Sequence, residues 1–190
     1  MKQALSERLG VGKSQITLGN GSNDVLDLVT RAFVDPGQQV VVAEHAFAVY
    51  SLSAKSVNAQ LIVVPARDFG HDLDAMAAAV TPSTRVVFVA NPNNPTGTYQ
   101  DSASVEEFLE VLPTTVVTVV DEAYFEYVKD RNYPDGVELL SRFPNLIVVR
   151  TFSKAYGLAG LRVGYAMASD QITEALNRVR HPFNVNSLAL

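Results

Sequence analysis

The 190-residue sequence contains no cysteine, which excludes a disulfide framework, a thiolate nucleophile and any cysteine-based zinc site. It has no excess of basic charge either. Fifteen Lys and Arg stand against twenty Asp and Glu, a net charge of −5, so there is no broad cationic face to neutralise a polyphosphate, and nucleic acid is not an expected partner. Long apolar runs are missing. The longest, such as VVTVV at 116–120, are of strand length, far short of the roughly 20 residues of a membrane helix. The opening residues MKQALSERLG mix charge into the chain and offer no apolar core of a secretory signal. A cytoplasmic protein with no membrane partner is expected. His45, His71 and His181 are scattered without ligand spacing, so no metal is expected. The last residues, RHPFNVNSLAL, stop in an apolar stretch without a capping glycine or polar tail, as in a piece of a longer protein.

What is present is alternation. Short β-branched runs, QVVVAE (39–44), LIVVP (61–65), RVVFVAN (85–91), VVTVVDE (116–122), LIVVRTF (146–152) and RVGYAM (162–167), are separated by helix-like stretches. Strands apolar throughout are buried on both faces, as in a parallel sheet covered by helices. Apolar residues at helical spacing predict helices over 22–34, 72–80 and 103–111, each closed by a nearby proline. With no internal repeat or linker, the reading is one α/β domain: three αβα layers around a mostly parallel, doubly wound sheet. Ligands of such sheets sit at the carboxyl ends of the strands, where Glu44, Asn91, Asp121 and Thr151 fall.

GVGKS at 10–14 together with VVTVVDE imitates a nucleotide-binding pair, but the phosphate loop needs a glycine where Glu7 stands. Gly10 and Gly12 then read as a helix end and a turn. A better anion site is GNGSND at 19–24, where glycines precede a long helix and the amides of Ser22 and Asn23 are free to face a phosphate. The same residues would also serve as an ordinary N-cap. In NPNNPTG at 91–97, two prolines stiffen a turn that presents Asn94. Asp121 and Glu122 follow an apolar strand, whose two-residue period sends them to opposite faces, so only one can serve the site. Asp121 needs a partner there: a metal, an arginine or a protonated ring nitrogen. Finally, TFSKAYGLAGLRVGY at 151–165 brings Thr151, Ser153 and Arg162 together as components of a phosphate clamp. Beside them Lys154, expected to be partly desolvated, is a candidate for Schiff-base chemistry. The bland alternative is a solvent-exposed lysine.

These four segments, in this order and spacing, resemble the cofactor-binding large domain of the fold-type I pyridoxal-phosphate aminotransferases. The wording of 46–54 and 180–190 is most similar to the branch acting on histidinol phosphate. The likeness runs from about residue 16 to the end. It implies pyridoxal 5′-phosphate as cofactor and small-molecule substrates, L-histidinol phosphate as amino donor and 2-oxoglutarate as acceptor. An aromatic amino acid aminotransferase and a decarboxylase of similar fold share these motifs. By matching positions, Lys154 would carry the cofactor and move a proton, Asp121 would pair with the pyridine nitrogen, and Asn94 and Tyr124 would bond the ring's 3′ oxygen. Phe47, where many relatives have Tyr, would stack on the ring. The phosphate would take Ser22, Asn23, Thr151, Ser153 and Arg162. Residues 1–190 would then be the large domain, without the family's N-terminal arm and C-terminal small domain, of a protein that is a homodimer when whole.

Overall fold

The computed structural model describes residues 1–190. Its strands are β1 (Ile16–Asn20), β2 (Gln39–Ala43), β3 (Gln60–Val64), β4 (Thr84–Ala90), β5 (Val117–Asp121), β6 (Leu146–Thr151) and β7 (Val163–Ala168). The helices are α1 (Lys2–Leu9), α2 (Ser22–Phe33), α3 (Ala48–Ser56), α4 (Leu73–Ala78), α5 (Ser102–Val111), α6 (Gly136–Leu139) and α7 (Asp170–Val179). The strands form one sheet in the order β1-β7-β6-β5-β4-β2-β3. Neighbours run parallel except at β7, which is antiparallel to both β6 and β1. None of the helices is long and apolar enough to cross a membrane.

The two-residue period of the strands sorts the core into layers. Val40, Val42, Val86, Phe88, Val119, Ile147, Val149 and Ala166 face a cluster completed by α2, α3 and α7. The intervening positions face the other side: Val120, Leu146, Val148 and Met167 pack with α1, α5 and α6, and Val41, Val87 and Val89 with α4. This is the three-layer α/β arrangement expected from the alternating runs.

The register fixes where the chain can do chemistry. Because β7 alone is reversed, β1, β4, β5 and β6 end at the same edge of the sheet, and β7 starts there. The strand β1 was not foreseen. ITLGN is short and half polar, and its extended form comes from pairing with β7, Leu18 opposite Tyr165 and Gly19 opposite Gly164. It brings the start of α2 to that shared edge. Gly164 is what lets the helix come so close, since a Cβ built there would lie 2.2 Å from the Ser22 nitrogen and 2.5 Å from the Gly21 carbonyl carbon. Gly10, at φ 70°, closes α1 and Gly12 leads into a 3-10 turn over Lys13–Gln15, so the imitation of a phosphate loop is a helix end and a turn.

Candidate active site

A cavity of about 240 Å³ opens at the shared edge. Every residue that the resemblance assigns to the site lines it: Ser22, Asn23, Phe47, Asn94, Asp121, Tyr124, Thr151, Ser153, Lys154 and Arg162. Segments far apart in sequence are thus gathered by topology. Glu44, also at a strand end, takes no part; its carboxylate accepts a hydrogen bond from the Ala66 amide at 3.1 Å.

One end of the cavity is built to receive an anion. The helix α2 starts at Ser22 with Gly21 as its N-cap, and no side chain bonds the first-turn amides in the capping manner. The N-cap alternative for Ser22 and Asn23 is therefore not what the chain adopts. Free amides and the positive end of the helix dipole remain. Gly21 sits at φ +79°, and a Cβ there would fall 2.5 Å from Arg162 Nη2. A side chain there would strain the backbone at this positive φ and push the guanidinium away from the helix start. Arg162 is further placed by its Nη1, which donates to the Ala159 carbonyl at 3.2 Å and reaches the Ser153 hydroxyl at 3.5 Å. The Thr151 hydroxyl donates to the Val163 carbonyl at 3.2 Å and accepts from the Ser153 amide at 3.1 Å. Thr151 thus shapes the loop that presents Ser153, with its own proton already engaged.

The deep end is acidic. Asp121 closes β5 on the face that carries Val117 and Val119, with 5% of its surface exposed. Tyr50 donates its hydroxyl proton to Oδ2 at 2.8 Å, and the Ala123 amide donates to Oδ1 at 3.2 Å. Burial raises the Asp121 carboxyl to about 6, against the pull of the Tyr50 and Ala123 hydrogen bonds and of Lys154. Phe47 and Tyr124 supply aromatic walls.

Lys154 corrects one expectation. It lies in the loop after β6 and is exposed rather than partly desolvated, because residues 152–161 run over the surface with only short turns. Its Nζ nevertheless stands 5.2 Å from the centre of the Tyr124 ring, at the cavity wall.

The turn bearing Asn94 is stiffened by more than its prolines. Asn91 exchanges two hydrogen bonds with the Gln100 backbone, and Asn93 Nδ2 donates to the His45 carbonyl and the Thr96 hydroxyl.

Glu122, as the strand period requires, points to the opposite face and is fully buried. It meets Arg150, whose Nη2 lies 2.7 Å from its carboxylate, while the Gly136 amide donates to the other oxygen at 2.9 Å. Burial pushes Glu122 up to about 7 in spite of Arg150. The Arg150 guanidinium also bridges to Asp135 at 2.6 Å and lies 3.7 Å from the Phe125 ring centre. This strut anchors the segment that follows β5, including Tyr124. Arg150→Ala, which leaves a buried carboxylate unpaired, is expected to cost about 3–5 kcal/mol in urea denaturation at pH 7. A loss under about 1 kcal/mol would remove the strut from this account. Neither Arg150 nor Tyr50 was foreseen, though a charge inside LIVVRT was a usable signal.

The donor set fits a flat heteroaromatic phosphate: cationic and amide donors at one end, a carboxylate at the other, aromatic walls between, and an amine at the rim.

Comparison with known proteins agrees in kind. The family described as aminotransferase class I and II matches residues 1–190, so the likeness begins at residue 1 rather than near residue 16. Histidinol-phosphate aminotransferase 2 of Ralstonia nicotianae is 60% identical over 189 residues, covering 100% of this chain and 50% of that protein. Its namesake from Pseudomonas aeruginosa is 58% identical, covering 100% and 52%. Among solved structures, histidinol-phosphate aminotransferase from Sinorhizobium meliloti in complex with pyridoxal-5′-phosphate superposes with a TM-score of 0.94 at 34% identity, over 99% of this chain and 51% of that one. The chain spans about half the length of the curated relatives it matches.

Proposed function

The chain belongs to the class I and II aminotransferases, and from that premise we propose that it is the cofactor-binding half of a pyridoxal-phosphate-dependent transaminase. Its amino donor on this reading is L-histidinol phosphate and its acceptor 2-oxoglutarate. The observation that carries the proposal is the polarity of the cavity, with an anion cradle at Ser22, Asn23, Ser153 and Arg162 and a buried carboxylate at Asp121. The identity to relatives named for histidinol phosphate supports the choice of donor.

When bound, pyridoxal phosphate supplies an aldehyde that condenses with amines and a protonated ring that draws electrons from the carbon being deprotonated. The amides of Ser22 and Asn23, the Ser153 hydroxyl and Arg162 would hold its phosphate, with Thr151 setting the loop. Asp121 would face the pyridine nitrogen and keep a proton on it. Phe47 would lie against the ring, and Asn94 and Tyr124 would bond the 3′ oxygen. Lys154 Nζ would be the point of attachment, then take the proton from the substrate Cα and deliver it to the cofactor's C4′. We further place the whole protein in the cytoplasm as a homodimer, with residues 1–190 as its large domain and substrate-anchoring groups in the remaining half.

The full-length protein loaded with cofactor and reduced with borohydride should carry the label on the peptide containing Lys154. Lys154→Ala should lose both the label and transamination, yet keep its folding stability within about 0.5 kcal/mol, because the side chain is exposed. A label on another lysine overturns the assignment. Faster turnover of an aromatic amino acid than of histidinol phosphate overturns the choice of donor.

A further inference from the structure

Tyr50 is the largest fully buried side chain of the protein, and its position is over-determined. Its ring stacks on Phe88, with centroids 4.7 Å apart and planes 3° from parallel, and meets Phe47 edge-on at 5.8 Å. Its one polar atom is aimed at Asp121 Oδ2. A buried phenol of this kind has little freedom to swing away. The two oxygens of Asp121 have one protein donor each, Tyr50 on Oδ2 and the Ala123 amide on Oδ1. Of the two, only the Tyr50 bond comes from a side chain, and it arrives from a different element, α3.

We propose that Tyr50 is a positioning residue that acts through Asp121, its hydroxyl holding the carboxylate in the orientation, and as the anion, that meets the pyridine nitrogen. The inference rests on the reading of the site as a pyridoxal-phosphate site. Burial works against the anion, and the titratable groups that act on Asp121 are Tyr50 from α3, Tyr133 from the segment after β5 and Lys154 after β6, with Tyr124 lying beside Tyr50. Among these, Tyr50 alone donates a side-chain hydrogen bond to it. Burial and the adjacent Asp121 hold the Tyr50 phenol well above its ordinary value, so it stays a donor throughout the working range. Without that hydroxyl the carboxyl takes up a proton more readily, and a neutral acid cannot keep a pyridinium charged.

The test is Tyr50→Phe in the full-length protein, which removes one oxygen and keeps the ring stack. Three readouts apply: borohydride labelling of Lys154, the pH dependence of kcat, and the ¹⁵N shift of ring-labelled pyridoxal phosphate. At pH 7 we expect a loss of about tenfold or more in kcat, with a nitrogen resonance displaced toward neutral pyridine. Both should recover as pH rises and Asp121 ionises again. In an Asp121→Asn background the Tyr50→Phe change should leave the nitrogen resonance where it is. Should the variant fold poorly, 3,5-difluorotyrosine at position 50, a stronger donor, must move the acid limb of the profile to lower pH. An acid limb and a ¹⁵N shift that stay in place overturn the inference, as does a loss uniform across pH. Failure of the wild-type protein to label at Lys154 would instead strike the proposed function itself, so the two failures are told apart.

Discussion

On the proposed function, Asp121→Asn is expected to slow transamination by the full-length protein by about three orders of magnitude or more while leaving the fold intact. Asparagine has the shape of the carboxyl and can still accept the Tyr50 hydrogen bond. What it lacks is the charge needed to keep a ring nitrogen protonated. The same substitution has a second, opposite effect. Burial raises Asp121 from its ordinary value to about 6, so the folded protein holds this proton more tightly than the unfolded chain. The stability this provides is complete below about pH 4 and is lost as pH rises through 6, a difference of about 3 kcal/mol. In Asp121→Asn this portion of the pH dependence should vanish, and the cofactor-free variant should equal or exceed the wild type in stability at pH 7. Single-turnover rates near wild type would exclude Asp121 as the ring's partner. A pH–stability profile unchanged between 4 and 6 would mean that its charge is solvated after all.

Gly164→Ala is the change expected to disturb the backbone of the site most directly. The methyl group would enter the backbone of Gly21 and Ser22 at 2.2–2.7 Å, and none of the three atoms it meets belongs to a flexible side chain that could step aside. Either α2 lifts off the β1–β7 pair or the pair opens. Overpacking of this kind costs about 1–3 kcal/mol and more where only backbone can yield. Because the displaced amides are those of the anion cradle, cofactor affinity should fall along with thermal stability. The two are measured by equilibrium dialysis and calorimetry. Wild-type values of both would show that the first turn of α2 is free to move.

Most of this site could be read in the sequence because it is written in short, continuous segments. The glycines before α2, the turn around Asn94, the acidic end of β5 and the lysine loop each carry their own local signal, and the alternating apolar runs predict the sheet that joins them. The parts that escaped reading depend on distant partners. The strand β1 has no pattern of its own and is extended because β7 lies beside it. Tyr50 gains a meaning only when Asp121, 71 residues away, accepts its proton. The helix α7 is a different case, with Ile172, Leu176 and Val179 at helical spacing, a signal the sequence reading leaves unused. Lys154 was misjudged for the converse reason, since its neighbours in sequence say nothing about how the loop lies on the surface.

The pairing of β1 with β7 also sets an order of events. Residues 16–20 wait for residues 163–167 before they have a partner, and such sequence-distant contacts form late and slowly. A chain still emerging from the ribosome can already possess Asn94 and Asp121, yet its first β-strand and the start of α2 remain undocked until nearly all of these residues have been made. The anion cradle at the start of α2 therefore has to wait for β7. A ligand that binds only the docked arrangement pulls the folding equilibrium toward it, so the β1–β7 pairing and the cradle beside it should be stabilised together.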